Sequence, residues 1–334
     1  MKIRTISWAR NEADILESFI RHHAAFSTLE IVLHRCHDNS EEILEALKKA
    51  GLPVVWRTDE RLAHEQAKVM SEMMRKAFAE GVDFVVPLDA DEFLTGDAVS
   101  VLSSYGDDPR AIRLAWKGYV PTDKDDASHR NVLKRITHRR SIELPQRYKI
   151  LAPRTATTAV GLRHGNHVLL DTSGRPLPHT DTELAIAHFP VRSAKQIMRK
   201  VYGGWLSRCV DVERRQGNTF QWKAAFERLK EERPLLAQEL TQLAMDYATE
   251  KQWKTLPESF TGGPLKLYDA QEKSSDTDAT LVVDPVPCNF DVRYPVKETE
   301  PMHVLLESAE EIAQMYAELK KKKITPDSVS DAAA

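Results

Sequence analysis

The sequence predicts an α/β fold: a mostly parallel sheet flanked by helices, with a helical region toward the C-terminus. Three observations carry this. Over residues 1–90, strand-like runs and amphipathic stretches follow one another as β-α-β-α-β-α-β, an order that calls for parallel strands joined by right-handed crossovers. Residues 84–88, Phe-Val-Val-Pro-Leu, form an unbroken apolar run of strand length, as suits a strand buried on both faces. That run stops at three carboxylates, Asp89, Asp91 and Glu92, and ligands of open α/β sheets gather where strands end.

Composition narrows the class. A chain of 334 residues can build one large domain, or a domain with a smaller partner. Its 47 basic and 50 acidic residues leave a net charge of −3, so no global field points to nucleic acid. No window approaches the roughly 18 consecutive apolar residues of a membrane span. Residues 1–8 lack the apolar core of a signal peptide, and Cys36, Cys209 and Cys288 have no metal-ligand spacing. A cytoplasmic protein with reduced thiols is the expectation.

The elements follow in order. Ile3–Trp8 is a short strand, and residues 9–13 turn into a helix whose stripe is Ile15, Leu16, Phe19, Ile20 and His23. Glu30–His34 is a second strand with a terminal loop at residues 36–40, where Ser40 caps a helix with inner face Ile43, Leu44 and Leu47. Gly51 ends that helix, Pro53–Trp56 is a third strand, and residues 63–80 form a helix on Met70, Met74 and Ala77. After the central strand, Ala111–Trp116 alternates as a strand. Residues 122–131 are a polar loop of the kind that covers substrates over a rigid sheet edge. A basic stretch runs from Arg130 to Arg154, and Leu184–Ala187 leads as an apolar strand into His188.

Ser193 and Gln196 fit a capping box opening a helix with Ala194, Ile197, Val201 and Trp205. Further helical stripes run from Trp222 to Leu229, from Pro234 to Tyr247 and, after a second capping box at Ser308, to Leu319. Residues 254–300 are rich in loop formers. Lys320–Lys323 complement a helix dipole, with peripheral contact to an anionic membrane as the alternative. The expected organisation is a catalytic domain over 1–205 (nucleotide-sugar half 1–95, acceptor half 96–205), a helical region over 206–323 and a disordered tail over 324–334.

The chemistry concentrates at strand ends. On an extended backbone Asp89 and Asp91 would share a side, with Ala90 opposite. Two like charges that close are costly unless a cation or solvent lies between them. A divalent ion holding a phosphorylated ligand is one reading, and an acidic turn that caps the next element is the plainer one. Asn11 and Glu12 follow the first strand, and Asp38 follows the second. Glu12 or Asp38 could accept from a base N–H and Asn11 could bond base or ribose, or these residues merely cap helices. The basic stretch is either a solvated face or a source of cations for a diphosphate or an acidic acceptor, and Lys149 and Arg192 are the ones best suited to the second role. Arg192 stands at a helix mouth, where phosphates are favoured.

Four blocks, Trp8-Ala-Arg-Asn-Glu12, His37-Asp-Asn-Ser40, Leu88-Asp-Ala-Asp-Glu-Phe-Leu94 and His188-Phe-Pro-Val-Arg-Ser193, resemble family 2 glycosyltransferases. The branch in view is the bacterial one with Asp-x-Asp-Glu-Phe and a late His-Phe-Pro-x-Arg-Ser, and the resemblance spans roughly residues 1–205. It implies a GT-A fold, a nucleotide-diphosphate sugar donor (a UDP-sugar), Mn2+ or Mg2+, and inverting transfer to a hydroxyl of a glycan or other acceptor, as in polysaccharide biosynthesis. It implies that Asp89, Asp91 and His188 hold the metal. Arg10, Asn11, Glu12, Asp38, Asp89, Lys149 and Arg192 would then hold the donor, with Asp91 catalytic. Asp181, shortly before the His188 strand, is the choice for the base among the acceptor-half carboxylates, which include Asp125 and Glu143. The second loop departs from the family pattern: His37 stands at the usual first acidic position and Glu42 at the last. The alternatives are a nucleotidyltransferase, which normally has a glycine-rich loop after the first strand, and a non-catalytic sugar- or nucleotide-binding protein.

Overall fold

The computed structural model describes residues 1–61, 65–143, 148–209, 225–227, 229, 235–247, 265–268, 282–293, 311 and 315. It separates into two compact units. The first comprises Met1–Glu60, Glu65–Ile197 and Pro234–Pro295; the second comprises Arg61–His64, Met198–Arg233 and Val296–Ala334. In the second unit, Tyr202 meets Phe226 edge-on at 5.8 Å between ring centroids. The expected lysine run and tail, and the 308–319 helix apart from Glu311 and Met315, lie outside the described residues, as do most of residues 254–300.

The first unit opens with β1 (Ile3–Ala9), α1 (Ala13–His23), β2 (Thr28–His34), α2 (Ser40–Lys49), β3 (Val54–Asp59), α3 (Gln66–Ala79) and β4 (Phe84–Pro87). β5 (Glu92–Thr95), α4 (Ala98–Ser103), β6 (Ala111–Gly118), α5 (Val132–Arg135), β7 (His138–Arg140) and β8 (Lys149–Pro153) follow. The remainder is β9 (Ala159–Leu162), β10 (Leu169–Asp171), β11 (His179–His188), α6 (Ala194–Cys209, which enters the second unit at Met198), α7 (Ala237–Tyr247) and β12 (Leu265–Leu267). Within the expected helical region over 206–323, the described residues include the end of α6, α7, β12 and the non-helical residues 282–293. Eight strands form one sheet in the order β3-β2-β1-β4-β8-β6-β11-β5. β1, β2, β3 and β4 pair in parallel, as do β6 and β11, while β8 and β5 run antiparallel to their neighbours. This is the α/β, mostly parallel sheet that the alternation of elements predicted, and it is consistent with the GT-A fold that the resemblance implied.

Helices bury each face. Phe19, Ile20, Leu44, Leu114 and Ile186 belong to one apolar cluster, and Met70, Met74, Val85 and Ile150 to the other. The α1 stripe buries as expected, and His23 goes with it. Its Nδ1 lies 2.8 Å from Phe19 O, its Nε2 accepts from Leu94 N, and burial holds its pKa well below the usual value.

One late segment joins this early framework. Residues 283–293 cross α1, α2 and α5, held by side chains that grip their backbone. Glu17 accepts from Phe290 N at 3.1 Å, and the Asn131 amide donates to Val286 O at 2.7 Å. Asn39 brackets two positions, donating to Asp291 O at 2.9 Å and accepting from Arg293 N at 2.8 Å. Val283 is buried in the α1 cluster, and Val286, Phe290 and Val292 pack against it.

Candidate active site

The strand order reverses direction at β1: β2 and β3 lie to one side and β4 to the other. A crevice at the carboxyl ends of β1 and β4 is where α/β sheets of this kind take ligands. Arg10, Asn11 and Glu12 leave β1 there, and Asp89 and Asp91 leave β4. The carboxyl ends of β6 and β11 and the amino ends of the antiparallel β8 and β5 reach the same edge. They bring Gly118, His188, Lys149 and Glu92.

The acidic stretch is a turn. Glu92 N donates to Asp89 O at 3.0 Å, so residues 89–92 fold back and β5 begins at Glu92. The alternation expected for Asp89 and Asp91 is therefore corrected, because strand periodicity ends at Pro87. The turn separates the two side chains. Asp89 is partly exposed, while Asp91 is 1% exposed. Asp91 Oδ1 lies 3.8 Å from His188 Nε2, and Asp91 Oδ2 lies 3.7 Å from Arg192 Nη1.

Asp89 has other partners. Its Oδ2 accepts from Lys149 Nζ at 2.8 Å and its Oδ1 from Gln66 Nε2 at 2.7 Å. Lys149 is fully buried and also lies 3.1 Å from Glu92 Oε2. Burial opposes its charge, but Asp89 and Glu92 outweigh that and hold the ammonium above its ordinary pKa. Burial pushes the Glu92 carboxyl up to about 8, Lys149 pulls against it, and Asp89 and Asp91 add to the rise.

Arg192 is fully buried and bonded to carboxylates. It donates to Asp14 through Nε at 2.7 Å and Nη2 at 2.8 Å, to Glu12 through Nη2, and to Phe189 O through Nη1 at 2.9 Å. Burial works against this charge as well, and Asp14 and Glu12 raise its pKa well above the ordinary value. The expected contact of Arg192 with a diphosphate is thereby corrected: the guanidinium ties α1 to the loop after β11. That loop is set by Gln196, whose Oε1 accepts from Arg192 N and whose N–H donates to the Ser193 hydroxyl.

On the β2 side, Asp38 caps two helices, accepting from Ala13 N at 2.9 Å and from Ser40 N at 3.1 Å. Asn11 sits at φ 53 and accepts from His37 N at 2.7 Å, locking the β1 and β2 loops together. Asp38 thus acts as a cap, whereas Asn11 caps no helix and instead joins two loops. Arg10 is largely buried, and burial with the neighbouring Arg35 brings its pKa down to about 10.

Asp181 lies elsewhere. It pairs with Arg113 at 2.6 Å, and Arg113 is five residues before Gly118 on β6, ~16 Å along an extended strand and on the opposite face. The choice of Asp181 as base is corrected. Asp181 lies near the amino end of β11 and His188 at its carboxyl end, so the two stand at opposite edges of the sheet.

Sequence reasoning missed three residues of the site. Gln66 bridges Asp89 to the 164–166 turn, accepting from Gly165 N at 3.3 Å. Trp116 stacks on His188 at 5.0 Å, with Lys149 Nζ 5.9 Å from its ring. Asp14 grips Arg192. Trp116 ends an alternating strand and was open to detection; Gln66 and Asp14 carry no local signal.

The chain matches no protein-family model and no curated protein. Solved structures similar to it include TarS of S. aureus, with a TM-score of 0.36 at 10% identity over 68% of this chain. The chain spans 43% of the length of that TarS structure. A second is the mannosyltransferase PcManGT from Pyrobaculum calidifontis in complex with GDP-Man and Mn2+, with a TM-score of 0.34 and 12% identity over 75% of this chain and 81% of that one. A third is a UDP-glucose pyrophosphorylase complexed with UDP-glucose, with a TM-score of 0.26 and 13% identity over 74% and 98%.

Proposed function

We propose that this protein transfers a sugar from a nucleotide-diphosphate donor, a UDP-sugar, to a hydroxyl of a glycan or other acceptor, with inversion and with Mn2+ or Mg2+. The observation that carries this is the buried Asp91 carboxylate facing His188 at 3.8 Å, at the crevice beside β1 and β4.

The residues fit a divalent ion. A carboxylate oxygen and an imidazole nitrogen 3.8 Å apart would have to close to about 3 Å to stand as adjacent ligands on one ion, a shift within reach of side-chain rotation. Among the described residues no group of three or more His, Cys, Asp or Glu is arranged to hold a metal, so the remaining positions fall to diphosphate oxygens and water. Asp91 and His188 would hold the ion, and the imidazole favours manganese. Asp89, with both oxygens engaged, would be a neighbour of that site rather than a ligand. The ion would supply charge stabilisation for the departing diphosphate. Lys149 would add a fixed positive charge beside Asp89, and Arg192 would keep Glu12, Asp14 and Asp91 in one arrangement. Arg10, which follows β1, would contact the nucleotide. The absence of glycine in residues 9–13 disfavours the nucleotidyl-transfer alternative.

A thermal-shift comparison of UDP, UDP-sugars and ATP, each with and without manganese, tests this. Stabilisation by the uridine compounds that depends on manganese is expected. Equal stabilisation by ATP and UDP, or none by either, overturns it.

A further inference from the structure

Asp181 leaves sugar transfer without a proton acceptor, and the edge that holds His188 offers another. Glu143 lies in the segment between β7 and β8, and its Oε1 accepts from Gly118 N at 2.9 Å. Gly118 is the last residue of β6 and the register partner of His188 on β11. A Cβ built on Gly118 would lie 3.8 Å from Glu143 Oε2, so the carboxylate overlies the bare side of that glycine. Residues two apart on a strand, and register partners on adjacent strands, share a face, so this is the face of Trp116 and His188. One oxygen is anchored; the other makes no hydrogen bond among the described residues and still reaches solvent. Asp125 offers no such oxygen, because Thr122 donates to both, at 3.0 Å through its N–H and 2.9 Å through its hydroxyl.

We propose that Glu143 is the general base of this site, taking the proton of the acceptor hydroxyl through Oε2. The assignment rests on the sugar-transfer reading above. As the acceptor oxygen bonds to the anomeric carbon, its proton passes to Glu143. The bond from that carbon to the diphosphate oxygen breaks, and the electron pair leaves with the nucleoside diphosphate. The Gly118 N–H fixes the carboxylate so that the acceptor approaches from the Trp116–His188 face. Burial holds the Glu143 pKa above the ordinary carboxylate value, against the pull of the Gly118 N–H and of Arg140, Lys117 and Arg139.

The test uses the full chain, UDP-glucose with manganese as probe, and water as acceptor. Glu143→Gln keeps the bond to Gly118 and removes the base. Its hydrolysis rate should fall by about 100-fold or more, the range of general-base contributions, with melting temperature and UDP affinity unchanged. Glu143→Asp should recover part of the rate with a displaced pH profile, and Asp125→Asn should keep it. Wild-type rates in Glu143→Gln, or a loss matched by equal losses of UDP affinity and stability, overturn the assignment alone. Wild-type protein that binds no UDP and hydrolyses no UDP-sugar overturns the transfer reading, and this assignment with it.

Discussion

Asp91→Asn preserves the shape of a buried carboxylate at this edge and removes its charge. Asp91 lies 3.7 Å from the Arg192 guanidinium and 3.8 Å from the His188 ring. A unit charge at such a distance interacts with an opposite one by ~4 kcal/mol at an effective dielectric constant of about 20. If that energy is realised while charge grows on the leaving group, its loss lowers the rate about a thousandfold. Arg192 keeps Glu12 and Asp14 in the variant, so the fold should survive. The assay is hydrolysis of UDP-glucose, with sugar transfer once an acceptor is found, by wild type, variant, and wild type with chelator. Full activity in Asp91→Asn refutes the reasoning. Full activity with chelator but not in the variant keeps Asp91 essential and removes the metal.

Two further predictions concern the charges behind the site. Arg192→Met removes the guanidinium that pairs with buried Glu12 and partly exposed Asp14, so denaturant unfolding should show a loss of ~3–5 kcal/mol; unchanged stability with a selective loss of diphosphate affinity would return Arg192 to a ligand contact. Glu92 has a folded pKa of about 8 against an ordinary value of 4.5. The folded protein therefore binds that proton more tightly, and the associated stability is full below 4.5 and lost as pH rises through 8. Unfolding midpoints should fall between pH 5 and pH 9 (roughly the span of that titration), and Glu92→Gln should flatten the fall; a wild type and variant that decline in parallel would refute it.

The fold was legible because each element carries its own period. The α1 stripe, the apolar run of β4 and the alternation of β6 are local patterns, and a parallel order follows from them. The return of β8 between β4 and β6 was not legible, since pairing of Lys149 with Leu114 depends on residues far apart in sequence. The site was half legible. Motif position brought Asp91 and His188 to one edge, but no pattern said that a turn would push Asp89 toward Lys149, or that Arg192 would spend its donors on Glu12 and Asp14. The error at Asp181 was avoidable, because chain direction alone puts the two ends of a strand at opposite edges.

The grip on residues 283–293 bears on how the protein is made. Glu17 in α1 meets Phe290 across 273 residues of chain, and Asn39 meets Arg293 across 254. During synthesis the β1–β4 half emerges first, and Asn39 lacks these two bonds until residues 291–293 have emerged. Ribosome-bound nascent chains that end before residue 283 should therefore be substrates for chaperones that hold apolar surface. Emergence of residues 283–293, rather than completion of the sheet, would mark the moment at which α1 and α2 acquire these contacts.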